Sequence, residues 1–157
     1  MIGSWRVSIN KFEYSFQALT CIDLVICLPE VIPVDNASSK TVLEAFEDGW
    51  LSRYPSPVRC IRYNGNEFLG PEFNIMLQRI KIKLVPTPVK NTLANAIVER
   101  MYQSISTMLA ISLRENPPKR YEDLSNLVHR KSMAAQYAVR ATMHPTLKYT
   151  SGELVFN

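Results

Sequence analysis

Residues 58–68 read VRCIRYNGNEF, and how this stretch folds determines how the rest of the chain can be arranged. Val58, Cys60 and Ile61 make residues 58–62 a short strand, and Pro55 and Pro57 interrupt whatever precedes it. Asn64 and Gly65 are the two residue types that most easily adopt positive φ, so the strand is expected to end in a sharp turn. Gly70, Pro71 and Glu72 follow, with Pro71 suited to the first turn of a new helix. A strand tip that runs into a tight turn ahead of a helix is where α/β sheets present reactive side chains. The residue at this tip is Tyr63. A surface turn with an ordinary aromatic beside it fits the same residues.

The 157 residues suffice for one domain with a real core, and 46% hydrophobic with 20% charged residues describes a globular chain rather than a disordered one. No apolar run approaches the roughly 18 residues of a membrane span. The best candidate, residues 24–28, is bounded by Asp23 and Pro29, so no membrane partner is expected. The N-terminus lacks the basic, apolar, small-residue order of a signal peptide. Cys21, Cys27 and Cys60 are odd in number and have no C-x-x-C spacing. They predict buried, reduced thiols in a nuclear or cytoplasmic protein that is not secreted. His129 and His144 are too few and too far from the cysteines to suggest zinc.

The net charge of +4 conceals an asymmetry, since residues 1–78 carry −3 and residues 79–148 carry +8. A basic half of this size points to phosphate-bearing partners, although solvated helix faces explain the same count.

In chain order, residues 5–9 (WRVSI) alternate apolar and polar as a half-buried strand does. Residues 14–24 alternate and then become continuously apolar, as in a strand that enters a sheet centre, and residues 30–34 (EVIPV) form a third strand with Pro33 suited to an edge. Asp35, Asn36 and Ser38 are helix-capping residues, and Val42, Leu43, Phe46 and Trp50 follow at helical spacing. After the 58–62 strand comes a short helix with Phe73, Met76, Leu77 and Ile80 inward, then a strand at 82–85. A long helix over 92–114 carries the stripe Ile97, Met101, Ile105, Met108 and Ser112. Pro117 and Pro118 stop it, and a helix over 121–142 places Leu124, Val128, Ala135, Ala138 and Val139 in register. Another helix starts near Ser151. Successive strands pair most simply as an antiparallel meander, and strands separated by helices as a parallel extension. The prediction is an α/β fold of ribonuclease H-like type: one five-stranded mixed sheet flanked by helices.

Three segments carry a family resemblance: RYNGNEF at 62–68, PTPVKNTLANAIVERMYQ at 86–103 and HPTLKYTSGELVF at 144–156. Together they resemble the catalytic core of retroviral and gypsy-type retrotransposon integrases, and the similarity extends over residues 1–157, including IGSW at 2–5. The resemblance implies DNA integration by three carboxylates holding a pair of Mg²⁺ or Mn²⁺ ions, which clamp the attacking and leaving oxygens of an in-line phosphoryl transfer. The family's Glu falls on Glu99, on the polar side of its helix together with Asn95 and Gln103. Its second Asp falls on Tyr63, whose phenol is neutral near pH 7. Its first Asp falls just before IGSW, so the chain is expected to start after it and to lack the family's terminal modules. Glu99 is then the only retained acid, a weak metal ligand at best. Asp23 and Glu67 are the neighbouring acids that could substitute, Glu67 more as a local hydrogen-bond acceptor.

Three functions compete at this stage. The first is a degenerate, retrotransposon-derived core, a pseudoenzyme with no bound metal, that keeps the fold and a weak, non-specific DNA affinity through Lys90, Asn95, Gln103 and the basic half. The second is a scaffold or homodimer built on the Met- and Ala-rich stretches 101–113 and 133–143. The third is a metal-dependent strand transferase whose missing acids come from a longer chain.

Overall fold

Strands β1 (Ile2–Ile9), β2 (Phe12–Asp23) and β3 (Leu28–Val34) form an antiparallel meander with β2 in the centre. The computed structural model describes residues 1–9, 11–62, 65–86 and 92–156, and for 92–95, 97 and 156 the backbone alone. Trp5 pairs with Phe16, and Ala18 with Gly3 on one side and Pro33 on the other. Because strand side chains alternate, this register sends Trp5, Val7, Ala18 and Val31 to one face and Leu19, Leu28 and Val34 to the other. Each face then needs its own helical cover.

Two helices cover the first face. Helix α3 (Thr92–Glu115) brings Met101, Ile105 and Leu109, and α4 (Tyr121–Arg140) brings Leu124, Val128 and Ala135. Helix α1 (Ser39–Phe46) covers the second face with Val42 and Phe46. Ser38 caps α1 by accepting the Thr41 N–H at 3.2 Å, as the capping residues predict. The helix runs on through a wide π turn, Glu47–Leu51, that buries Trp50. Within that turn, a Cβ at Gly49 would collide with the Ile32 side chain. Strands β4 (Arg59–Arg62) and β5 (Lys83–Pro86) pair in parallel through the crossover helix α2 (Pro71–Arg79), which buries Phe73 and Leu77 in the same core. A short helix α5 (Ser151–Phe156) ends the described chain.

The element order and the helix positions follow the sequence pattern, but the single five-stranded sheet does not. The described residues form a three-stranded antiparallel sheet and a separate two-stranded parallel one. Among the described residues, β1 pairs with β2 as far as Met1 and Thr20, which exchange hydrogen bonds of 2.8 Å, residues 21–23 pair with β3, and β4 pairs with β5.

Smaller corrections concern helix faces. Ile80 and Ala138 are exposed, and Leu109 rather than Ser112 completes the α3 stripe. Gln136, a polar residue, is buried in place of Ala138, with its Nε2 donating to the Val31 carbonyl at 3.2 Å. Ile97 lies among the residues described by backbone alone.

One buried charge fastens α4 to the far edge of the sheet. Glu30, 3% exposed, receives Arg140 at 2.5 Å, Arg53 at 3.6 Å and the Tyr54 hydroxyl at 2.6 Å. Arg140 also donates to the Pro29 carbonyl at 2.9 Å. Removing one partner of a buried pair leaves the other charge uncompensated, which costs about 3–5 kcal/mol. Glu30→Ala should lower unfolding free energy by about that much in denaturant titration. Arg53→Ala should cost less than about 1 kcal/mol, because its side chain is 58% exposed.

Candidate functional site

The Tyr102 ring fixes where α3 crosses the sheet. Its hydroxyl bonds the Thr20 hydroxyl, its ring packs on Trp5 at a centroid distance of 5.0 Å, and a Cβ on Gly3 would collide with it. Burial pushes the Tyr102 phenol up to about 12, against the lowering effect of the Thr20 hydrogen bond. With Val98, Met101 and Ile105 also buried, the helix turns Glu99 and Gln103 outward, and both are exposed. The helix therefore presents Glu99 and Gln103 one turn apart on its open side, as the spacing predicts. Lys90 and Tyr63 lie outside the described residues, as does the side chain of Asn95.

The two substitute acids have local duties. Asp23 Oδ1 accepts the N–H groups of Val25 and Ile26 at 2.8 and 3.1 Å, capping the turn from β2 to β3 in which Cys27 adopts φ 57°. Glu67 folds back over Gly65, where a Cβ would meet its carboxylate. Among the described residues, no three His, Cys, Asp or Glu side chains gather to hold a metal ion. The donors described here do not fit a divalent-metal pair. The cysteines are free thiols, half-buried rather than fully buried as the sequence suggested.

Sequence reasoning missed a cavity of about 380 Å³ beside this helix. Its walls are the end of β2 with its turn (residues 19–25), the strand entered from Pro57 (residues 57–62), and Phe46, Trp50, Phe73, Val98 and Met1.

No protein-family model matches the chain, and no curated protein sequence matches it. Solved structures do. The HTLV-2 integrase catalytic core domain in complex with magnesium superimposes with a TM-score of 0.67 over 98% of this chain and 93% of that one, at 18% identity. The BIV integrase catalytic core domain gives 0.66 over 98% and 91%, at 14% identity. The fold is that of a retroviral integrase catalytic core. A chain of the simian T-cell lymphotropic virus intasome, solved in complex with PP2A regulatory subunit B56 gamma, gives a TM-score of 0.70 at 13% identity. There the integrase-core-like chain spans 99% of its own length and 53% of the larger chain.

Three titratable groups on the cavity wall set a pH profile. Burial holds the Met1 ammonium below its ordinary value of 8.0, and burial pushes the Cys60 thiol above 9.0 and the Cys21 thiol from 9.0 up to about 12. An amine depressed on folding makes the unfolded chain bind more protons just below pH 8.0, so stability rises with pH there. A thiol raised on folding is neutral in both states below pH 9.0, and above it only the unfolded chain ionises, so stability falls. Denaturant midpoints should therefore peak between about pH 8 and 9. Cys21→Ser should flatten part of the alkaline decline.

Proposed function

We propose that the chain is a retrotransposon-derived integrase core that binds nucleic acid without processing it. The likeness to integrase cores over 98% of the chain supports this reading. The charge of +8 on residues 79–148 supports a phosphate-bearing partner. In this reading residues 1–157 are one core domain of the five-stranded ribonuclease H-like family. Glu99 is its retained acid, Tyr63 stands where a second carboxylate would be, and the first falls before Ile2. Lys90, Asn95 and Gln103 contact phosphates. Mg²⁺ or Mn²⁺ would need all three acids, because a two-metal site clamps both the attacking and the leaving oxygen.

Fluorescence anisotropy with a short duplex tests the binding. Affinity should fall at least tenfold between about 50 and 200 mM salt, with no preference among sequences. Lys90→Ala should weaken it about two- to threefold and reduce the logarithmic salt slope by about 1. Salt-independent affinity would contradict the electrostatic account.

Catalysis gives the second test. The unaltered chain should neither cleave nor join DNA with Mg²⁺ or Mn²⁺. Tyr63→Asp combined with an Asp-Leu dipeptide in front of Ile2 should make Mg²⁺ binding measurable by calorimetry, and Tyr63→Asp alone should bind one ion weakly. Cleavage by the unaltered chain that Glu99→Gln abolishes would overturn the non-processing reading, and Asp23 would be the next acid to replace.

A second reading, self-association, rests on exposed apolar side chains: Met133 and Tyr137, one turn apart on α4, and Ile111 on α3. Homodimers in sedimentation that Tyr137→Glu dissociates, with no DNA binding at low salt, would favour it.

A further inference from the structure

At the hairpin end of the meander, β2 has a strand on one side only among the described residues. Phe12 to Phe16 pair with β1, whereas β3 leaves β2 at Val34, opposite Gln17. The prolines of β3 show which main-chain groups are involved. Pro29 and Pro33 have no N–H to give, and they stand opposite Ile22 and Ala18. The even residues of β2 therefore turn to β1 and the odd ones to β3. Gln17 is the last odd residue that β3 reaches, so Ser15 and Glu13 turn their N–H and C=O groups to an open edge. Both residues are exposed. On one face of this edge, Tyr121 of α4 stacks on Phe16 with ring centroids 6.0 Å apart and leans on Tyr14 at 5.4 Å. Tyr121 is nevertheless 54% exposed and Phe12 66%. The first and last described residues lie toward the other end of the meander: Met1 bonds Thr20, and Ser151 of α5 bonds Arg140, which holds the Pro29 carbonyl.

We propose that this edge pairs with the same edge of a second copy of the chain, antiparallel about a two-fold axis at Tyr14. In this register Glu13 stands opposite Ser15 of the second copy, and each gives one N–H and accepts one. The two-fold repeats the pair, so every free group on the edge is used. Neighbouring registers fail. An axis at Ser15 sets Glu13 against Gln17, whose main chain is already spent on Val34. An axis at Glu13 sets two carboxylates directly opposite each other. With the axis at Tyr14, Phe12 lies beside Phe16 of the second copy and the two Tyr14 rings meet. The aromatic faces join in one row, and the exposed Phe12 gains cover. Charge selects the partner at the hairpin tips. Lys11, exposed and held at φ 70°, falls opposite Gln17 of the second copy, beside the end of β3 where Asp35 is exposed. Symmetry makes this cation–carboxylate contact twice. Another partner would have to offer alternate aromatics, a cation at one end and an anion at the other. A second copy offers all three.

Sedimentation equilibrium and amide hydrogen exchange on the full chain test the pairing. So short an edge makes a small interface, and the dissociation constant should be on the order of 10–100 μM. Exchange at Glu13 and Ser15 should slow as concentration rises, while Tyr14 keeps the rate that β1 sets. Ser15→Pro should weaken association at least about tenfold with an unchanged far-UV spectrum, since Ser15 gives no main-chain bond to β1. Lys11→Asp and Asp35→Lys should each weaken it about threefold, and the two together should restore it. That exchange of charges decides the matter if the proline variant does not fold. A chain that stays monomeric to about 500 μM would overturn the proposal. Dimers that survive Ser15→Pro but dissociate with Tyr137→Glu would also overturn it, in favour of the helix faces. So would a monomer whose Glu13 and Ser15 amides are protected by an unrelated extended peptide, because the edge would then belong to another partner.

Discussion

The contact between the Tyr102 ring and Gly3 carries more of the architecture than any other. Gly3 has no Cβ, so the ring can lie against the strand itself, bonded to Thr20 on the next strand and packed on Trp5 two residues on. That one contact fixes both the depth and the rotation of α3. With the rotation fixed, Val98, Met101 and Ile105 must face the sheet and Glu99 must face away. The exposed side of the helix, with Glu99 and Gln103, is therefore a consequence of packing on its other side. Any residue larger than glycine at position 3 would lift the helix and shift Glu99 with it.

Two apolar cores meet across the meander, and they depend on one another through β2. Its alternation assigns Ala18 to the core under α3 and α4 and Leu19 to the core under α1 and α2. A one-residue slip in β2 would exchange both sets at once, so the register is held from two sides. The Glu30 cluster holds it from a third, because Arg140 at the end of α4 reaches around β3 to a carboxylate on the opposite face. The integrity of the fold rests on these contacts. None of the contacts named here involves Glu99, which stays exposed on the other side of α3.

Much of this was legible in the residues. The caps at Ser38 and the helix start at Pro71, the proline stop after α3 and the apolar stripes all report on local physics, and the helices fell close to where they were expected. Local physics does not report on strand partners across a gap. Periodicity said that residues 58–62 form a strand, but a short strand reads the same whether one edge or both are paired. Hence the expected five-stranded sheet became three strands and two. The inward turn of Gln136 was equally hidden, because its carbonyl partner, Val31, is far away in sequence and close only in the folded chain. For the site, the sequence located Glu99 and Gln103 on one open helix face. It offered Asp23 as a substitute acid, whereas in the structure Asp23 makes two hydrogen bonds to its own turn, the usual occupation of an Asp at the end of a strand.

Along β2, the described pairing with β1 runs to Thr20, while β3 follows it to Asp23. A sheet edge that stops beside one neighbour and continues beside another leaves main-chain groups facing a void, and groups of this kind are costly to bury unpaired. The cavity beside that edge is lined by Phe46, Trp50 and Phe73 of one core and by Val98 of α3, so the packing on both faces of the meander shapes it.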